Sequence, residues 1–199
     1  MNKEALLKTI AETGYNVGYG ARKTFATFDI AEKGPGWIGF FSLSFGIFAL
    51  FKDELAAKVP SAVLLVAGVC SLYIGFYRSA EYETTAKNLL KLQNRLRDLY
   101  RKVQSGSDTT EAQKELEAIE AEYYSITISK QIFLSDWYAH YKFFAQSQID
   151  WIDEQKNFKF WKDKIPLSGK VTIVAVFLAV LLATLYLYTS PFICPIYNY

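Results

Sequence analysis

From Gly34 to Tyr77 the chain reads GPGWIGFFSLSFGIFALFKDELAAKVPSAVLLVAGVCSLYIGFY, two apolar runs joined by a loop too short to hold a domain. Neither run, Trp37 to Phe51 or Ser61 to Tyr77, contains Asp, Glu, Lys or Arg. Such a pair predicts an antiparallel helical hairpin, and a third run, Val171 to Tyr188, follows much later. At a rise of about 1.5 Å per residue, runs of roughly 15 to 18 residues reach on the order of 22 to 27 Å, just under the ~30 Å hydrocarbon core. Trp37, Tyr77, Tyr186 and Tyr188 flank them and can lie at the interfaces. Runs this short also permit a buried hairpin in a soluble protein. The absence of a polar face favours three membrane spans.

Charge placement orients the spans. Near their ends one side carries Arg22, Lys23 and Lys33, then Arg78, Lys87, Lys91 and Arg95, then Lys156, Lys159, Lys162, Lys164 and Lys170; the other carries Lys52 and Lys58. Positive charge collects on the cytoplasmic side, so the N-terminus and the long middle segment are expected inside, the short loop and the C-terminal tail outside. The first 33 residues are polar, so no cleaved leader is expected. A net charge of +2 is too small to point to DNA. Under this topology Cys70 lies in a span and Cys194 in the outer tail, so they are not expected to pair, although Cys194 could cross-link two chains.

Leu6, Leu7 and Ile10 share a helical face, after which Gly14, Gly18 and Gly20 interrupt the pattern. These glycines lack the G-x-x-x-x-G-K-[ST] spacing of a phosphate loop and suit a bend or a close approach instead. Phe25, Phe28 and Ile30 fit an amphipathic approach to the bilayer, and Gly34-Pro35 predicts a break before the first span. Within the hairpin, small residues recur: Gly36, Gly39, Ser42 and Gly46, then Ala67, Ser71 and Gly75. Small faces let helices approach in lipid, either within one hairpin or between subunits.

Beyond Glu81, Leu89, Leu92, Leu96, Leu99 and Val103 step by three and four; Ser105-Gly106-Ser107 ends the seam, and Asp108 is a candidate N-cap for a helix carrying Leu116, Ile119, Tyr123 and Ile126. These two helices should fold back on each other as a cytoplasmic hairpin. Phe133, Trp137, Tyr141, Phe144, Gln148, Trp151, Gln155 and Phe158 continue the alternation and predict a mostly aromatic stripe on one helix, with Trp137, Tyr141, Phe144 and Trp151 as interface candidates. Asp136 and His140 are one turn apart and can pair. Phe158, Phe160 and Trp161 interleave with Lys156, Lys159, Lys162 and Lys164, a mixture suited to anionic headgroups. One histidine, no metal-ligand spacing and no nucleotide motif argue against catalysis and against a metal or resident cofactor.

Two blocks carry a family resemblance: AETGYNVGYGARKTFATFDIAEKGPGWIGFFSLSFGIFAL (Ala11 to Leu50) and SKQIFLSDWYAHYKFFAQSQIDWIDEQKNFKFWKDKIPLS (Ser129 to Ser168). They resemble the signature blocks of the bacterial SLATT family, two-transmembrane effectors found beside cyclic-oligonucleotide synthases and nucleotide-sensor domains. The resemblance implies a membrane effector of an abortive anti-phage system, permeabilising the inner membrane when a nucleotide-signalling partner is activated. A nucleotide messenger acting on this chain would need cations, for which Arg95, Arg97, Arg101 and Lys102 are candidates. A non-permeabilising anchor for a signalling enzyme, or a regulated channel, is the competing expectation. The layout is all-α: cytoplasmic amphipathic helices over 1–35, a transmembrane hairpin over 36–77, a cytoplasmic helical region over 78–165 and a C-terminal span with a short outer tail over 166–199. Three slender spans cannot enclose an aqueous path, which predicts a homo-oligomer.

Overall fold

The computed structural model describes residues 2–193. The order is α1 (Lys3–Ala49), a 3-10 turn (Asp53–Ala56), α2 (Lys58–Gly75), α3 (Ser79–Gln104), α4 (Thr109–Ile126), α5 (Ser135–Gln146), α6 (Asp150–Lys156), α7 (Phe160–Asp163) and α8 (Leu167–Ile193). The protein is all-α, with no strand among the described residues. The chain divides after Asn157 into two compact units. Cys194 lies outside the described residues.

α1 is the spine of the first unit. Asn2 caps it, accepting a hydrogen bond from the Ala5 amide at 2.8 Å, and the helix then runs 47 residues without a break. Its N-terminal half buries Leu6, Leu7, Ile10, Val17 and Ala21, against which α3, α5 and α6 pack. The expected break at Gly34-Pro35 does not occur, for Pro35 lies inside the helix. Packing on the turn that leads into the proline accounts for this. Ala31 is buried with Tyr77, Tyr82 and Ile132, and Ile74 of α2 closes on Gly34, so neighbours hold the helical path where an amide hydrogen bond is missing.

Gly14 and Gly18 do not interrupt the helix either; they are points of close approach. A Cβ on Gly14 would lie 2.2 Å from Cη2 of Trp151, and one on Gly18 would lie 2.4 Å from Nε2 of Gln93. Phe25, Phe28 and Ile30, expected to face the bilayer, are half-buried, and Phe28 and Ile30 pack against the Ala31 cluster.

The α3 seam is as expected: Leu89, Leu92, Leu96, Leu99 and Val103 are all buried. α3 and α4 fold back on each other through the Ser105-Gly106-Ser107 turn, with Asp108 accepting from the Thr110 amide at 2.9 Å. Much more of the seam, however, is spent on α1 than on α4. The aromatic stripe on one helix is corrected outright. α5 ends at Gln146 because the Ser147 hydroxyl turns back to the Lys142 carbonyl (2.9 Å) and receives Arg22 Nε (2.7 Å), offering the chain an alternative to the helical ladder. The buried face of α5 is Ser135, Ala139 and Phe143, one column away from the expected stripe.

α2 packs back along the apolar end of α1, forming the predicted hairpin. Among the described residues, two helices are long and apolar enough to cross a membrane, Lys58–Gly75 and Leu167–Tyr186. In the second unit, α7 carries exposed Phe160 and Trp161, and α8, past Lys170 in its first turn, has no charged residue as far as Tyr186.

Candidate functional site

The hairpin presents its apolar side chains outward. α2 buries no residue, and at the end of α1 Phe40, Phe41, Leu43 and Phe48 are exposed by 60 to 68 %. Side chains of this kind leave water only if lipid or another chain covers them, and so continuous a patch marks an interaction surface. The small residues fall into two groups on this surface. Ser42, Ala67 and Ser71 are half-buried within the hairpin. Positions 36, 39, 46 and 75, all glycine, meet nothing within 4 Å of an added Cβ among the described residues, so Gly36, Gly39, Gly46 and Gly75 are open to a neighbour there.

The cytoplasmic aromatic candidates are not brought together. Trp137 and Tyr141 are exposed on α5, Phe144 is half-buried with its ring 4.7 Å from His140, and Trp151 is a core residue 5.5 Å from Tyr100. The expected Asp136–His140 pair does not form. Asp136 takes the Lys23 ammonium at 2.7 Å, while His140 Nε2 is buried with no hydrogen-bond partner. Among the described residues, no group of three or more His, Cys, Asp or Glu side chains is placed to hold a metal.

The cation candidates separate as well. Arg95 bonds Glu122 of α4 at 2.7 Å, Lys102 lies 3.9 Å from Glu115, and Arg101 is exposed. Arg97 alone turns toward α1 and the α5–α6 turn, into a cleft that also holds Arg22. Arg22 is a residue that sequence patterning assigned only to topology; nothing in its spacing brings it to Arg97.

A second cleft of about 460 Å³ lies between α1 and the end of α4, lined by Tyr15, Tyr19, Lys23, Tyr123 and Gln131 among others. Burial, then the neighbouring Asp136 and Tyr15, push the Tyr19 phenol up to about 12, so it keeps its proton at physiological pH and donates to the Asp136 carbonyl at 3.3 Å. The i, i+4 spacing of Tyr15 and Tyr19 is a legible signal that the glycine pattern obscured. At the junction with the hairpin, Asp29 receives Lys142 and, at 2.9 Å, Lys33. Burial pushes its carboxyl up, but the two ammonium groups outweigh this and hold it below the usual carboxylate value.

A family model described as SMODS and SLOG-associating 2TM effector domain 6 matches residues 1–173. No curated protein and no solved structure matches the chain. With the match running from the buried face of α1, through the exposed hairpin, into α8, the chain belongs to the SLATT family of two-transmembrane effectors.

Proposed function

We propose that this protein is the membrane effector of a bacterial anti-phage system, one that oligomerises and permeabilises the inner membrane when a nucleotide-signalling partner, a synthase or a sensor, is activated. Its action in this reading is not enzymatic. The observation that carries it is the outward apolar hairpin rising from a closed helical body on the same unbroken α1. A displacement of the buried half of α1 is passed on to Trp37–Ala49 because the contacts of Ala31 and Gly34 hold the helix straight through Pro35. The family's name, which couples a 2TM effector to SMODS and SLOG proteins, supports a trigger from such a partner.

The N-terminus and central helices lie on the cytoplasmic side and the C-terminus outside, with α8 as a further span. Outward glycines at 36, 39, 46 and 75 give neighbouring subunits a surface on which backbones can approach. At rest the aromatic side chains of α1 or Val63, Leu64 and Leu65 seal the bundle, and separation of the hairpins wets it.

Membrane potential and survival are the test, first in bacteria expressing this chain alone and then with its neighbouring genes under phage challenge. Depolarisation and death that depend on challenge are expected. An intact potential throughout, with the protein in the inner membrane, would instead establish a non-permeabilising anchor that recruits a signalling enzyme through exposed surfaces such as Trp137 and Tyr141.

A further inference from the structure

We propose that the cleft between α1, α3 and the α5–α6 turn is a receptor site for a small soluble anion bearing phosphate oxygens. The cleft measures about 320 Å³, and its lining includes Arg22, Gln93, Asn94, Arg97, Ser147 and Gln148 but no Asp or Glu. Two guanidinium groups therefore face one polar concavity with no carboxylate in it. Planar guanidinium forks match phosphate oxygens two at a time, and the amide and hydroxyl groups between them can orient whatever the phosphate is attached to.

Both arginines are poorly compensated where they stand. Arg22 gives Nε to the Ser147 hydroxyl and has no ion-pair partner among the described residues. Burial draws its guanidinium below the usual arginine value. Arg97 Nε is buried without a hydrogen-bond partner, its nearest carboxylate being Asp98 at 3.8 Å, beyond hydrogen-bond reach. A buried donor of a charged group without a hydrogen bond, such as Arg97 Nε, is costly, and a bound oxyanion would satisfy both sides at once. Arg95, two residues earlier in α3, has Glu122 at 2.7 Å instead.

Position selects a soluble ligand over a lipid. Arg22 precedes Trp37 by fifteen residues on one helix, which at about 1.5 Å each puts it roughly 22 Å from the start of the apolar surface. A headgroup phosphate cannot extend so far from its bilayer. The site joins α1 to α3 and so deepens the reading of a triggered effector, on which its coupling to the hairpin rests; the binding itself does not depend on that reading.

The test is calorimetric titration of the full-length chain in a neutral detergent with inorganic phosphate, pyrophosphate and a nucleoside 5′-monophosphate, beside flotation with phosphatidylglycerol or phosphatidylcholine vesicles. Saturable binding of at least one soluble probe is expected, weakened at least ten-fold by Arg22→Gln and by Arg97→Gln, less by Arg22→Lys, and unchanged by Arg95→Gln. Added salt should weaken it further. If Arg22→Gln does not fold, Arg97→Gln decides, because its Nε has no hydrogen bond to lose. No saturable binding of any soluble probe, an equal loss in Arg95→Gln, or Arg97-dependent capture by phosphatidylglycerol vesicles alone overturns the proposal. A chain that depolarises cells yet binds nothing loses this site and keeps its function; one that binds but never depolarises does the reverse.

Discussion

Gly14 lies under the six-membered ring of Trp151, and the space there is already full. Alanine at an ordinary helical glycine gains about 1 kcal/mol of helix propensity. Here its methyl meets a rigid aromatic ring at 2.2 Å, and overpacking of that kind costs roughly 1 to 3 kcal/mol. Gly14→Ala is therefore expected to lower the melting temperature in detergent, followed by circular dichroism, whereas Gly20→Ala, whose Cβ would meet only the Tyr123 hydroxyl at 3.5 Å and ring edge at 3.6 Å, is expected to leave it level or raise it. Asp29 gives a pH dependence. Its folded-state pKa is depressed, so the stability it contributes is present above the unfolded carboxylate value, about 3.9, and is lost as pH falls through the lower folded value. Asp29→Asn should flatten the acid limb of melting temperature against pH below about 4; an unchanged acid limb would show that Lys142 and Lys33 do not hold this carboxylate in solution.

At the scale of elements, α1 does two jobs with one helix. Its first half is a core element, with alternating bulky and small residues that admit α3, α5 and α6; its second half is an apolar rod covered on one side by α2. The glycines of the two halves differ in consequence. A Cβ at Gly46 meets nothing within 4 Å, so Gly46→Leu should leave the melting temperature of the solubilised protein level or raise it. Cross-linked oligomers and depolarisation should be lost if neighbouring hairpins approach there, and leakage that persists in Gly46→Leu and Gly39→Leu alike would remove the hairpin as the working surface. α5 teaches a different lesson. Its aromatic columns and its core column are neighbours on the helix, and spacing alone favours the more aromatic one; the core took Ala139 and Phe143 because α1 presents Tyr15 and Tyr19 there, 5.3 and 5.9 Å from the Phe143 ring.

For the whole molecule, the charge distribution makes a topological prediction. With Cys70 and Cys194 replaced by serine, a cysteine at Asp53 should react with a membrane-impermeant maleimide added to spheroplasts, and one at Ser105 should react only after lysis. The reverse pattern would invert the orientation. Both positions lie outside any packed region, in the turn after α1 and in the α3–α4 turn, so neither substitution should disturb the fold.

The sequence by itself determined what local composition and period can encode: the apolar hairpin, the α3 seam, the Asp108 cap, the helical class and, through two long blocks, the family. These signals live within one element, and burial in lipid or in a core writes them directly into residue type. Only the tertiary structure decided that α1 passes through Pro35, that Gly14 and Gly18 are contact points, that Trp151 is core, and that Arg22 and Arg97, 75 positions apart in the numbering, share one cleft. Each of those depends on which partner arrives from a distant part of the chain, and helical spacing carries no information about partners.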